Sequence, residues 1–229
     1  MIGILKSAAD FLFPRVCHIC GTSLAVTERY VCTGCLSRMP RTLFHRVPDN
    51  SMEQRFIGKF PFRRATALFF YSRNSDLSVL MQDLKYRKFR GLARYLGEVA
   101  GDELLTTGFL SDVDGILPVP MHFWKKARRG YNQTEEIAAG LSKTTGVPVL
   151  DNLVAIRAHK TQTRMTLDQR LRNTKGIFRV ERPGELAGKH LLILDDVCTT
   201  GSTLTSVADT ILSAEPAAEV SMLTLGATF

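Results

Sequence analysis

Two sets of residues in this 229-residue chain have the types and spacing to do chemistry. The first is the stretch LLILDDVCTTGST, residues 191–203. Its four aliphatics read as a buried strand with two carboxylates at the carboxyl end. A loop of small hydroxyl residues around Gly201 then feeds a helix expected from Ser202. Backbone amides of residues 199–203 would point into that turn at the positive end of the helix dipole, a nest for a phosphate dianion. The hydroxyls of Thr199, Thr200, Ser202 and Thr203 add donors without bulk, and Gly201 permits close backbone approach. Adjacent carboxylates repel unless hydroxyls or a cation bridge them, and a vicinal diol or Mg²⁺ does either. A 5-phosphorylated ribose satisfies both halves, with its phosphate in the nest and its 2- and 3-hydroxyls on Asp195 and Asp196. No GxxxxGK[ST] is present, so this is not a Walker-type loop. Cys198 reads as a small buried hydrophobe, since the strand pattern runs on through Val197 and no partner base is identifiable.

The second set is Cys17-His-Ile-Cys20 and Cys32-Thr-Gly-Cys35, two CxxC pairs separated by eleven residues. Two tight turns with two thiolates each supply four sulfurs in a tetrahedron, and no coordination position stays open. The metal is therefore structural: zinc, with iron in the same cage as the alternative. Gly21 and Gly34 are expected to allow the tight backbone at the two turns. His18, between two ligands, reads as a solvent-facing neighbour.

The elements that must position these groups follow from charge and periodicity. The chain carries 30 basic and 22 acidic residues, a net +8. Residues 1–120 contribute 16 and 11, residues 121–182 contribute 13 and 5, and residues 183–229 contribute 1 and 6. A basic middle facing an acidic end suits an anionic partner, and charge alone does not choose between a polyphosphate and a nucleic acid. The first residues, with Ile4, Leu5, Ala8, Phe11 and Leu12 on one face, read as an amphipathic helix and not as a signal peptide, because Lys6 and Asp10 interrupt the apolar run. No stretch reaches the ~20 apolar residues of a membrane span, and a cytoplasmic protein is expected.

Pro40 to Pro48 reads as a linker. A strand is expected in PFRRATALFFYS, then a helix capped near Ser75 with Leu77, Leu80, Met81 and Leu84 inward. The basic turn Lys85-Tyr86-Arg87-Lys88 either reaches an anion or is inert, and a second helix follows through Leu92, Leu96 and Val99. From Asp114 onward, strands at 114–120 (stopped by Pro118 and Pro120), 153–156, 176–180, 191–194 and 220–225 alternate with helices at 131–144 and 202–213. That order predicts an α/β fold with a largely parallel sheet, whose ligands bind at the carboxyl ends of strands. Residues 157–175 carry seven basic groups, counting His159, against one acid and fit neither period. They are either a mobile lid over a polyanion or a surface insertion. Three units are expected: a four-cysteine ribbon over 1–48, a strand and helical hood over 49–110, and an α/β domain over 111–229.

The LLILDDVCTTGST stretch is similar to the phosphoribosyl pyrophosphate (PRPP) signature of type I phosphoribosyltransferases. More narrowly, the chain resembles the competence ComF family in its LFPRVCHIC with paired CxxC, its central LPVPMHFWKKARRGYNQTEEIA, its RAHKTQTRMTLDQRLRNTKGIF and its PRPP motif, in that order. The resemblance implies a type I phosphoribosyltransferase-like parallel sheet with an N-terminal zinc ribbon. It implies PRPP bound with Mg²⁺ at Asp195, Asp196, Thr199, Thr200, Gly201, Ser202 and Thr203. It implies a pyrophosphate loop at Pro120, Met121 and His122, and a flexible loop that includes Arg157 and Lys160. Arg128, Gly130, Asn132 and Gln133 fall in or beside the family's RG(Y/F)NQ motif. Purine-salvage relatives carry an Asp where this chain has Thr199, so hypoxanthine or guanine is an unfavoured acceptor. Three functions fit: a phosphoribosyltransferase with an unidentified acceptor, a single-stranded DNA-handling factor working with the DNA-uptake machinery of natural transformation, and a PRPP-sensing regulator. For the second, Lys125, Lys126, Arg128 and Arg129 form the backbone-binding patch, with Phe123, Trp124 and Tyr131 as stacking positions.

Overall fold

The computed structural model describes residues 15–157 and 176–229. The expected amphipathic helix at the start, and the basic stretch beyond Arg157 with Lys160, lie outside the described residues. In chain order the elements are α1 (Thr33–Arg38), α2 (Ser51–Gln54), β1 (Ala65–Phe70), α3 (Asp76–Gln82), α4 (Arg90–Leu105) and β2 (Gly115–Pro118). They continue with α5 (Phe123–Arg129), α6 (Gln133–Thr145), β3 (Leu153–Ala155), β4 (Phe178–Val180), β5 (His190–Cys198), α7 (Ser202–Ala214) and β6 (Glu219–Ala227).

A four-stranded sheet of order β1-β6-β5-β2 forms the centre, and every pair in it is parallel. Parallel strands covered on both faces should read as continuous aliphatic runs, and β5 does, with Leu191 to Leu194 fully buried. Alternation splits them: Leu192 and Leu194 join the core with Leu92, Leu96 and Ile137 of α4 and α6. Leu191 and Ile193 join Leu204, Val207 and Ile211 of α7. Helix α4 lies against α6 at backbone contact. A Cβ on Gly140 would stand 1.9 Å from the Arg94 carbonyl oxygen, and one on Gly97 would stand 2.0 Å from that of Ile137. Only glycine fits at either position. Among the described residues, no helix is long and apolar enough to cross a membrane.

Three expectations need correction. Strands β3 and β4 are not part of the main sheet but pair antiparallel with each other, Leu153 opposite Val180. The Asn152 side chain pins this pair, accepting from Arg182 N at 2.7 Å and donating to Arg182 O at 2.8 Å. The stretch from Pro40 is not a bare linker: Thr42 N donates to Leu68 O and Phe70 N to Pro40 O, so its first residues cover the outer edge of β1. Gly34 sits within α1 without a positive φ, whereas Gly21 has φ 74°, so only the first knuckle uses glycine's freedom.

Candidate functional site

Strand β5 does not stop at Leu194 but carries both acids and ends at Cys198. Successive side chains of a strand leave on opposite faces, and the two carboxylates take different partners while lining one cavity. Asp196 turns toward α6: its Oδ2 accepts from Gln133 Nε2 at 2.9 Å and lies 3.2 Å from Lys85 Nζ, while its Oδ1 accepts from Val197 N at 2.7 Å. The protein thus supplies the cation that an acid pair requires. Asp195 Oδ1 accepts from the neighbouring Asp196 N at 2.8 Å. Burial, and next the charge of Asp196, push the Asp195 carboxyl up to about 8. Burial alone would also raise Asp196, but Lys85, Gln133 and Val197 outweigh it and hold this carboxyl below its usual range. Asp196 correspondingly raises Lys85.

Behind β5, the loop enters α7 through Gly201, at φ 78° and with no side chain capping the helix. Gly201 is required twice: for its left-handed backbone, and because a Cβ would stand 2.9 Å from the Phe56 ring. Thr200 Oγ1 lies 3.1 Å from Ser202 Oγ. Asp195 and residues 197–204 enclose a small cavity of about 30 Å³ at this helix start. Arg55, at the end of α2, donates to the carbonyl oxygens of Thr199 and Thr228, and its guanidinium stacks over the Phe229 ring at 4.9 Å. This anchor of the loop was invisible in the sequence. Cys198 is buried and its thiol is pushed up to about 11 by burial, which keeps it protonated and inert as a nucleophile.

The small cavity adjoins, through Asp195, Val197 and Thr203, a larger one of about 750 Å³. Pro120, Met121, His122, Lys125, Arg128, Arg129 and Arg157 line it, together with Lys85, Tyr86, Gln133, Asp195 and Asp196. The residues expected for the pyrophosphate loop and the first residue of the flexible loop thus meet the acid pair. His122 accepts from Trp124 N and starts α5. The Lys125 ammonium is pushed below its usual range by burial and by Arg129, Arg128 and Lys85, which gather on the same wall. Lys126 pairs with Glu135 at 2.8 Å.

The RGYNQ run, whose role sequence did not define, becomes a positioning relay. Gly130 ends α5 at φ 85°, Asn132 caps α6, and Arg129 Nη1 donates to Gln133 Oε1 at 2.7 Å. Gln133 in turn donates to Asp196. Tyr131 is 3% exposed and donates to Leu84 O at 2.6 Å, so it is no stacking platform. Phe123 and Trp124, 68% and 71% exposed, are available.

At the other end of the chain, the Sγ atoms of Cys17, Cys20, Cys32 and Cys35 lie within 4.8 Å of one another. Cys20 and Cys32 are 3.8 Å apart, about the edge of a sulfur tetrahedron with metal–sulfur bonds near 2.3 Å. Cys32 N, Cys35 N and Arg38 Nη2 donate to these sulfurs at 3.2 to 3.4 Å, as outer partners of a thiolate cage do. The cluster fits a metal ion. His18 is not solvent-facing: its side chain is 14% exposed and its Nδ1 meets Asp83 Oδ2 at 2.5 Å.

Residues 106–227 match the phosphoribosyl transferase domain family. The chain is 32% identical over 203 residues to the DNA utilization protein YhgH of Escherichia coli O157:H7, covering 86% of this chain and 84% of that protein. It is 33% identical over 138 residues to Competence protein F of Haemophilus influenzae, covering 58% and 60%. With Competence protein ComFC of Bacillus subtilis it shares 24% over 214 residues, covering 92% and 83%. A phosphoribosyltransferase domain behind a four-cysteine cluster, with these relatives along most of its length, places the chain in the ComF family of competence proteins.

Proposed function

We propose that this protein binds PRPP with Mg²⁺ at the carboxyl end of β5. The single observation that carries the reading is the junction at Asp195 of two cavities, one walled by the hydroxyl loop at the start of α7 and one walled by cations. The 5-phosphate belongs in the first, on residues 199–203. The ribose hydroxyls belong on the acid pair, and the diphosphate beside Lys125, Arg128 and Arg157. Turnover breaks the C1–oxygen bond to pyrophosphate, which leaves with the electron pair, while an acceptor adds to C1 and gives its proton to solvent. When bound, Mg²⁺ supplies neutralisation of the departing charge. The cationic wall would hold the leaving group in place through this step. With Thr199 where purine-salvage enzymes carry an acid, no general base is at hand for a purine, so the acceptor is another nucleophile. We assign zinc to the cysteine cage.

Calorimetric titration with Mg-PRPP tests this reading. Binding is expected in the native chain and lost in the Asp195→Asn/Asp196→Asn double variant; equal binding by both would overturn it. Binding without pyrophosphate release across a panel of bases, amines and oligonucleotides would make the protein a PRPP sensor.

A second reading rests on the exposed Phe123–Trp124 pair, whose ring centroids are 5.5 Å apart, beside Lys125, Lys126, Arg128 and Arg129. We read this as a stacking and phosphate-binding edge for single-stranded DNA, in keeping with relatives named for DNA utilization. The same titration with an oligonucleotide should weaken with salt by a log–log slope of roughly −0.7 per phosphate contacted. A salt-independent signal rejects it.

A further inference from the structure

We infer that Lys85 is a working residue of the sugar-phosphate site and that the four-cysteine unit, acting through His18 and Asp83, sets its position. The inference takes its ligand from the PRPP reading, while its geometry stands apart from it.

The chain of contacts begins at the first cysteine knuckle. His18 lies between Cys17 and Cys20, and its ring packs edge-on against Phe89 at 4.6 Å. Its Nδ1 reaches Asp83, a carboxylate buried in the hood at 5% exposure. Asp83 opens a π-helical turn, Asp83–Arg87, that interrupts the run from α3. Such widened turns are rare and concentrate at functional sites. Residues two apart on a helix leave from opposite sides, so a turn that sends Asp83 to the cysteine unit sends Lys85 away from it. Lys85 ends 3.2 Å from Asp196 Oδ2, inside the large cavity. A third tie comes from the connection between α5 and α6, where the Tyr131 hydroxyl donates to Leu84 O between the two.

This arrangement is expensive if its only purpose is to hold the hood. Two carboxylates removed from water, each requiring a basic partner, stabilise less than an apolar pair of similar volume would. What an apolar pair cannot do is present a half-buried ammonium, at a fixed place, to a carboxylate that also faces a ligand cavity. The cysteine unit anchors one end of that placement, 65 residues in sequence from the turn it holds.

The experiment uses the full, metal-loaded chain with three readouts: metal per chain, Mg-PRPP affinity by calorimetry, and the rate at which an amine-acylating reagent labels Lys85, read by peptide mass spectrometry. Lys85→Met should weaken Mg-PRPP binding by about tenfold or more, the scale of one charged contact. His18→Ala should keep its metal, weaken binding by about tenfold and speed Lys85 labelling by a similar factor, since the turn loses one charge-assisted anchor. His18→Asn, which returns an N–H donor near the Nδ1 position, should restore both values to within about threefold. If His18→Ala loses its metal, Asp83→Ala breaks the same contact from the far side and should raise labelling with the metal retained. Labelling and affinity at native values in a metal-loaded His18→Ala or Asp83→Ala protein would overturn the inference, as would failure of His18→Asn to rescue. Should the native chain bind no PRPP, the sugar-phosphate reading fails by itself, and the labelling rates alone decide whether the strut exists.

Discussion

Two short segments converge on the acid pair of β5 and are built in opposite ways. The loop Thr199 to Thr203 is assembled from consecutive residues: its hydroxyls, its left-handed Gly201 and the start of α7 are contiguous in the chain. The turn Asp83–Arg87 contributes one ammonium, yet it is held by His18 from the cysteine unit and Tyr131 from the α5–α6 connection, and it closes on Asp196 in β5. The loop needs, beyond β5 and α7, only the Arg55 contact to the Thr199 carbonyl. The turn should form only when three distant parts of the molecule are in place. The first is a local motif, and the second is a tertiary assembly whose stability is borrowed from its neighbours.

Metal removal is the largest perturbation that separates them. Structural zinc in small cysteine units supplies about 10–16 kcal/mol of apparent binding energy, most of which appears as folding energy. Stripping it should release His18 and with it the turn. Hydrogen exchange should then show the amides of residues 83–88 losing protection while those at the start of α7 keep theirs. Equal loss in both segments would make them one cooperative unit and erase the distinction.

The same contrast explains what could be read from the sequence. The aliphatic run of β5, the paired CxxC spacing and the hydroxyl-glycine loop are each local, and their chemistry follows from residue order. The helices around Leu77 and Leu92 were legible through their periodicity, and the N-cap at Ser75 through its type. Lys85 was visible only as part of a basic cluster with two possible fates, because nothing near it in the chain names Asp196 as its partner. Arg55 lay in a stretch with no motif, and its role comes from a carbonyl 144 residues away. His18 looked like a bystander because the spacing of the cysteines says nothing about what the residue between them touches.

The acid pair offers a second, intermediate test. Asp195, raised to about 8 by burial and by Asp196, binds a proton in the folded state that the unfolded chain has released above its ordinary carboxyl range. Its contribution to stability is therefore full below about pH 4 and is lost as pH rises toward 8. Asp196, held low mainly through Lys85 against the effect of burial, has the opposite sign and contributes at neutral pH. Asp195→Asn should leave stability unchanged at low pH and raise it relative to the native chain at pH 8. A thermal-melting series across pH 4 to 9 reads the difference. A pH-independent difference would mean that Asp195 is ionised throughout and that the loop side of the site carries more positive potential than its hydrogen bonds indicate.

The smallest effect, and the finest test of the turn, lies at Tyr131. Its hydroxyl is the donor to Leu84 O inside the π-helical segment, and Tyr131→Phe removes that donor while keeping the ring in its buried seat. A single buried hydrogen bond of this kind is worth about 1 kcal/mol. The denaturation midpoint should fall by the corresponding amount with an unchanged m-value, because the folded surface stays the same. Burial raises the Tyr131 phenol to about 12, so it stays neutral and the loss should be constant over the pH range where Asp195 titrates. Lys85 labelling should rise less than in His18→Ala, since the carboxylate anchor of the turn remains. If the substitution changes neither stability nor labelling, the Leu84 carbonyl is satisfied without Tyr131, and the turn depends on the cysteine unit alone for its outer support.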